Sequence, residues 1–306
     1  MPIDPDLVTA IVGLGLVGNA LATRLQAAGL RTVGFDLRDE ARAAFAAAGH
    51  GIADSLAALG AQAEVVILAV FETRDVVQVL EADGGLLGAG HRVRTVIDCS
   101  TGDPHALEAL SGRLAARGID FIEAPLSGSS QQIQAGEATV LMGGADAAIA
   151  RCRPLLDAIA SRRVHVGGAG MGARAKLATN LVIGLNRAVL AEGMVFAQAL
   201  GIAPQAFLDL VLATPARSAA AEAKGAMMVS GEFAPQSRIR QHLKDVGLML
   251  ADAQAAGQRL PLSETHAALM HAAVAAGDGE LDNAAIIRQI RRETLAPAPA
   301  SSSPEQ

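Results

Sequence analysis

Tryptophan and tyrosine are absent from these 306 residues, and phenylalanine occurs seven times. Phenolic acid-base chemistry is thereby off the menu, and bases have almost no aromatic side chains to stack on. Only two cysteines occur, Cys99 and Cys152, too few for a disulfide framework and suited to a reducing compartment. Cys99 follows the apolar run Thr95-Val-Ile-Asp98 and reads as a small buried residue. The seven histidines show no metal-ligand spacing, so no metal is expected. The 25 Lys and Arg are scattered against 31 Asp and Glu, net −6, which argues against a nucleic-acid partner. No run approaches ~18 uninterrupted apolar residues, so neither a transmembrane helix nor a membrane partner is expected. The start, Met1-Pro-Ile-Asp-Pro-Asp, is acidic where a signal peptide is basic. A cytoplasmic protein is the expectation.

What the chain does have is alanine, apolar residues in half its positions, and a few polar groups set where apolar ones belong. From Ala173 to about Leu200 the pattern is apolar on nearly every side, which predicts a buried helix. Lys176 and Asn180 are four residues apart in it and therefore share a face. A lysine buried there must find a partner or lose affinity for its proton, and so becomes a candidate acid or base near neutrality. A snorkelling lysine beside a helix-stabilising asparagine is the competing structural reading.

The first part of the chain alternates short strands (Thr9–Val12, Thr32–Phe35, Val65–Ala69, Thr95–Asp98, Asp120–Ile122, Thr139–Met142, Arg163–Val166) with amphipathic helices. Such alternation predicts an α/β fold, a doubly wound, mostly parallel sheet covered on both faces. Past Gly170 only helical periodicity remains. The expected division is a dinucleotide-binding domain of the Rossmann type over residues 1–167, an all-helical domain over 168–295 for substrate binding and oligomerisation, and a disordered Pro/Ser-rich tail over 296–306. The alanine-rich, low-charge helices, notably Pro261–Ala276, offer surplus apolar surface, so a homodimer or homotetramer is expected.

Gly13-Leu14-Gly15-Leu16-Val17-Gly18 follows the first strand and opens the first helix. That is the setting a dinucleotide fingerprint needs: a tight turn, a close backbone approach to pyrophosphate, and a helix N-terminus offering N–H donors. The second strand runs up to Asp36, where an acidic residue would hydrogen-bond an adenosine ribose. Asp36 favours NAD, because a carboxylate repels a 2′-phosphate. Arg38, two residues on, keeps NADP open.

With those residues in hand, the chain resembles the β-hydroxyacid dehydrogenase family, which includes 3-hydroxyisobutyrate dehydrogenases and tartronate semialdehyde reductases. Four segments carry the resemblance in order: GLGLVGNALATRL from Gly13, EAPLSGSSQQIQAGEATVLMGG from Glu123, GMGARAKLATN from Gly170, and Lys244-Asp245-Val-Gly-Leu248. It implies a hydride transfer between a nicotinamide cofactor and a small 3-hydroxy acid or its semialdehyde. Lys176 would be the acid/base, Asn180 a substrate partner, and Ser127 and Gly128 the carboxylate holders. Val70, Phe71, Thr101 and Lys244 would contact the cofactor. The chain departs from the family pattern at Val70-Phe71, where Leu-Pro is usual, and at Ser129, where a second glycine is usual. Ser129 thus becomes a candidate substrate contact favouring a hydroxylated acid. Two readings stand beside this one: a non-catalytic dinucleotide-binding protein, and an NADPH-dependent semialdehyde or imine reductase of the same architecture. Retention of Lys176 and Asn180 argues against the first, and imine reductases typically replace the lysine.

Overall fold

The computed structural model describes residues 8–293, so the predicted tail, 296–306, lies outside the described residues. Strands and helices alternate first: β1 (Val8–Val12), α1 (Leu16–Ala27), β2 (Arg31–Phe35), α2 (Asp39–Ala47), β3 (Gly51–Ile52), α3 (Leu56–Gln62), β4 (Val65–Leu68), α4 (Thr73–Glu81), β5 (Thr95–Asp98), α5 (Pro104–Ala115), β6 (Asp120–Glu123), β7 (Leu126–Ser127), α6 (Ser130–Ala135), β8 (Thr139–Gly143), α7 (Asp146–Ile159) and β9 (Arg162–Gly167). Helices follow: α8 (Met171–Ala199), α9 (Pro204–Ala213), α10 (Ala219–Ser230), α11 (Ile239–Ala255), α12 (Pro261–Ala275) and α13 (Ile286–Arg292).

The sheet runs β3-β2-β1-β4-β5-β6-β8-β7, with β9 on β8. Strands β3 through β6 along this order pair in parallel; β8 turns antiparallel to β6 and β7. Successive side chains alternate between two apolar layers. Ile11, Ile67, Ile97 and Ile122 face α1, α2 and α7 residues such as Leu25, Phe45 and Leu155. Ala10, Val12, Val66, Val96 and Phe121 face Leu59, Leu80, Leu107 and Leu110 on the other side. The expected α/β fold with a helical C-terminal part is therefore present.

Packing divides the chain into two compact units: residues 1–182 with 244–259, and 183–243 with 260–306. The expected boundary at 167/168 falls at the change from strand to helix between β9 and α8. The first part of α8 and most of α11 belong with the sheet, and they carry Lys176, Asn180 and Lys244. Sequence periodicity also presented α8 as buried throughout, and the structure corrects this. Within the chain, α8 leaves Val182 (56%), Val189 (68%) and Phe196 (65%) exposed while burying Leu177, Leu190 and Met194. Apolarity on every side records what a helix can bury, not what a single chain supplies to cover it. Among the described residues, α8 is also long and apolar enough to cross a membrane by length and composition, yet Lys176 and Arg187 on it are buried inside the protein.

Candidate active site

The turn after β1 is shaped by its glycines. Gly13 has φ +91°, and a Cβ there would lie 2.3 Å from the Ala69 carbonyl oxygen; at Gly18 it would lie 1.9 Å from the Gly13 oxygen. At Gly15, which caps α1, an added Cβ meets nothing within 4 Å. Two glycines thus allow backbone to touch backbone, and the third leaves a cradle at a helix N-terminus whose first turn holds no acidic residue. That geometry fits a pyrophosphate. The Leu14 N–H donates to Asp36 Oδ2 (2.8 Å), which ties the turn to the end of β2. Arg38 reaches the same carboxylate through Nε (3.0 Å) and Nη2 (3.0 Å). Burial opposes ionisation of Asp36, but these donors win and hold its pKa below the usual value. Asp36 and Arg38, read from sequence as rivals for the cofactor's ribose, are therefore partners here.

The loops after β4 and β5 form the next wall. The Val70 N–H donates to Ser100 Oγ (3.0 Å), and the Ser100 N–H to Asp98 Oδ1 (2.9 Å). Lys244 of α11 donates to the carbonyl oxygens of Phe71 (2.9 Å) and Thr101 (2.5 Å), with its ammonium 5.5 Å from the Phe71 ring centroid. The structure thus brings Phe71, Thr101 and Lys244 together. Ser100 and Asp98 were not singled out from sequence; the only hint was their place at the end of a strand leading into Thr101.

Lys176 is 8% exposed, and its Nζ donates to the Leu126 carbonyl oxygen (2.6 Å), beside Ser127 on β7. Burial pulls its pKa down to about 8, against the attraction of Asp245 and with the repulsion of Lys244. The helix dipole is not the cause. Lys176 lies beyond the first turn of α8, where the dipole field has faded, and a carboxylate already answers that terminus. Glu123 Oε1 accepts from the Gly170 N–H and Oε2 from the Ala173 N–H (2.7 Å). Gly172 lets this happen, since a Cβ there would lie 2.8 Å from the Glu123 Cβ. Asn180 Nδ2 donates to Asp245 Oδ2 (3.0 Å), and Asp245 Oδ1 pairs with Lys244 Nζ (2.9 Å). An amide nitrogen carries two hydrogens, so one remains for another acceptor. Asp245 and Glu123 are site residues the sequence reading quoted in motifs without assigning a role.

Gly128 follows Ser127 with φ +154°, a conformation side chains avoid. Ser129 opens a helix. Its hydroxyl accepts from the Gln132 N–H (3.3 Å) and its N–H donates to Gln132 Oε1 (2.8 Å), a capping box that starts α6. Among the described residues, no group of three or more metal-ligating side chains occurs.

A glycine turn at the end of β1, a carboxylate at the end of β2 and a buried lysine near the ends of β6 and β7 define a nicotinamide-dinucleotide-dependent oxidoreductase. Comparison with known proteins makes the assignment sharper. Residues 8–168 match the model for the NAD-binding domain of 6-phosphogluconate dehydrogenase, and residues 170–290 match the model described as NAD-binding of NADP-dependent 3-hydroxyisobutyrate dehydrogenase. An L-threonate dehydrogenase from Cupriavidus necator is 31% identical over 91% of this chain and 94% of its own length. A 2-(hydroxymethyl)glutarate dehydrogenase from Eubacterium barkeri is 28% identical over 93% and 95%. The crystal structure of a 3-hydroxyisobutyrate dehydrogenase from Salmonella typhimurium superposes with a TM-score of 0.83 at 31% identity, covering 92% of this chain and 99% of the other. The chain belongs to the β-hydroxyacid dehydrogenase family, and it is an NAD(P)-dependent enzyme.

Proposed function

We propose that the chain interconverts a small hydroxylated 3-hydroxy acid of the threonate or glycerate type and its carbonyl form, with Lys176 as acid/base and NAD as the preferred cofactor. The observation that carries this reading is the buried Lys176 ammonium held on the Leu126 carbonyl beside Ser127. When bound, the cofactor takes up or gives back the hydride. The Gly15 cradle and the α1 N-terminus would hold its pyrophosphate, and the wall of Val70, Phe71 and Thr101, braced by Lys244, would hold its nicotinamide end. Lys176 then has one task at Nζ: neutral, it accepts the hydroxyl proton on oxidation, and charged, it returns it on reduction. Ser127 and the Gly128 N–H would hold the substrate carboxylate, and the second Asn180 amide hydrogen the reacting oxygen. The relative named for L-threonate supports a hydroxylated substrate; Ser129, engaged as a helix cap, does not carry that preference.

Asp36 supports NAD, because its carboxylate stands where a 2′-phosphate would come and Arg38 is already engaged with it. We further read the protein as a cytoplasmic homo-oligomer, with the exposed stripe of α8 as the surface a second copy covers. A panel of small hydroxy acids with each cofactor tests the assignment. L-Threonate with NAD should give a higher kcat/KM than 3-hydroxyisobutyrate or NADP. Lys176→Ala should lower turnover ~10²–10⁴-fold with cofactor affinity unchanged. Near-normal turnover in that variant would overturn the role of Lys176, and NADP preference would show that Arg38 releases Asp36 to take the phosphate.

A further inference from the structure

The second compact unit buries a group of charged and polar side chains that hydride transfer does not use. Arg187 on α8 is 5% exposed and His266 on α12 is 4% exposed. Neither ring nitrogen of His266 meets a hydrogen-bond partner, and Arg187 makes no hydrogen bond or ion pair among the described residues. The carboxylate whose field Arg187 feels is Asp282, and that group is already committed. Asp282 Oδ2 accepts from Lys224 Nζ (2.8 Å) and from the backbone N–H groups of Gln236 (2.9 Å) and Ser237 (3.1 Å), while Oδ1 accepts from the Ala284 N–H (3.0 Å). Two buried cations, Arg187 and Lys224, thus share one buried anion, and the surplus positive charge sits on Arg187. Burial, reinforced by Arg187, holds His266 neutral, with its pKa lowered to about 4, so the ring presents one N–H and one lone pair.

A glycine lets the same corner pack closely. A Cβ on Gly184, one turn before Arg187, would lie 2.3 Å from His242 Nε2 and 3.5 Å from His266 Nε2. Only glycine lets the His242 ring come this close to α8, with its centroid 5.5 Å from that of His266. A buried guanidinium is stable only when its charge and its donors are answered. We propose that Arg187 and His266, with His242 beside them, form a binding site for a small carboxylate. The planar fork of the guanidinium matches a carboxylate in two parallel hydrogen bonds, and a single surplus charge calls for a monoanion rather than a phosphate dianion. The site does not depend on the reaction proposed above.

Arg187→Met tests it, because methionine keeps much of the length and removes the charge. Thermal unfolding is followed in sodium acetate and in sodium chloride of equal ionic strength. Acetate should raise the Tm of the parent saturably, by ~2–5 °C. Arg187→Met should melt above the parent in chloride, since an unanswered buried charge is gone, and should lose the acetate response. An acetate-insensitive parent, or an Arg187→Met variant that keeps the response, overturns the proposal. Calorimetric titration of the parent with acetate decides the matter if the variant does not fold, and absence of binding there overturns it equally.

Discussion

Lys176 has a pKa of about 8 in the folded protein because burial withholds the water that would solvate its charge. In the unfolded chain it returns to its ordinary value of 10.5. Between the two values the unfolded chain holds a proton that the folded protein has released, so this residue's contribution to stability rises as pH rises from about 8 toward 10.5. The same titration sets the rate. Oxidation should accelerate as pH climbs through about 8, and reduction should slow across the same interval. Initial rates in both directions from pH 6.5 to 9.5 check this, and identical profiles in the two directions would remove Lys176 from the proton step. Glu123 illustrates the opposite tendency. Burial raises its pKa even though the Gly170 and Ala173 amides bond its carboxylate, and Asp98, its register partner on β5, pushes in the same direction as burial. Two carboxylates, placed by the sheet at adjacent strand ends, thus act in opposition: Glu123 clamps the helix that carries Lys176, and Asp98 strains that clamp.

Helix α8 shows how far an element can be read from its sequence. Its existence, its span and the pairing of Lys176 with Asn180 on one face follow from periodicity, as do β1, α1, β2, α2 and β4. Strands β3 and β7, two residues each, leave no period to detect, and α10, AAAEAKGAMMVS, has no apolar stripe to distinguish it from a loop. The capping box at Ser129 and the Glu123 clamp depend on contacts set by the fold, the latter across 47 residues, so composition and spacing alone could not assign them. Nor could periodicity say which face of α8 stays bare. Ala178, Val182, Leu185, Val189, Glu192, Phe196 and Ala199 alternate by four and three residues, the spacing of a coiled-coil seam broken once by a charge. On α12, the helix favoured from sequence, Ala267, Met270 and Ala273 are buried and Leu262 is exposed. If the seam meets a second copy, Val189→Asp combined with Phe196→Glu should shift the protein to a lighter species in light scattering while leaving its circular dichroism unchanged. A mass unaltered by the double substitution would place the contact elsewhere.

At the scale of the molecule, the chain leaves its first compact unit after Val182 and returns to it for residues 244–259. A change of period marks elements and not packing, so this return has no signature in the sequence. The returning segment brings Lys244 to the carbonyls of Phe71 and Thr101 and Asp245 to Asn180. A fragment ending at Gly167 should therefore bind NAD at least ~10-fold more weakly than the whole chain, having lost one charge-assisted brace across its cofactor wall. Isothermal titration of both species measures the difference, and equal affinities would show that residues 244–259 are dispensable for the cofactor.

The glycines after β1 fail in different ways when given a methyl group. At Gly18 the methyl collides with the Gly13 carbonyl, so Gly18→Ala should damage the fold itself and melt early. At Gly15 the backbone (φ −81°, ψ −158°) already suits alanine and the methyl enters open space. Gly15→Ala should melt no lower than the parent, because alanine narrows the unfolded ensemble, and yet should lose affinity for NAD ~10-fold or more. One short motif therefore contains both an architectural position and one whose openness serves the cofactor. An inherited change at the second would pass every inspection of folding and abundance while leaving the cell with an inert protein.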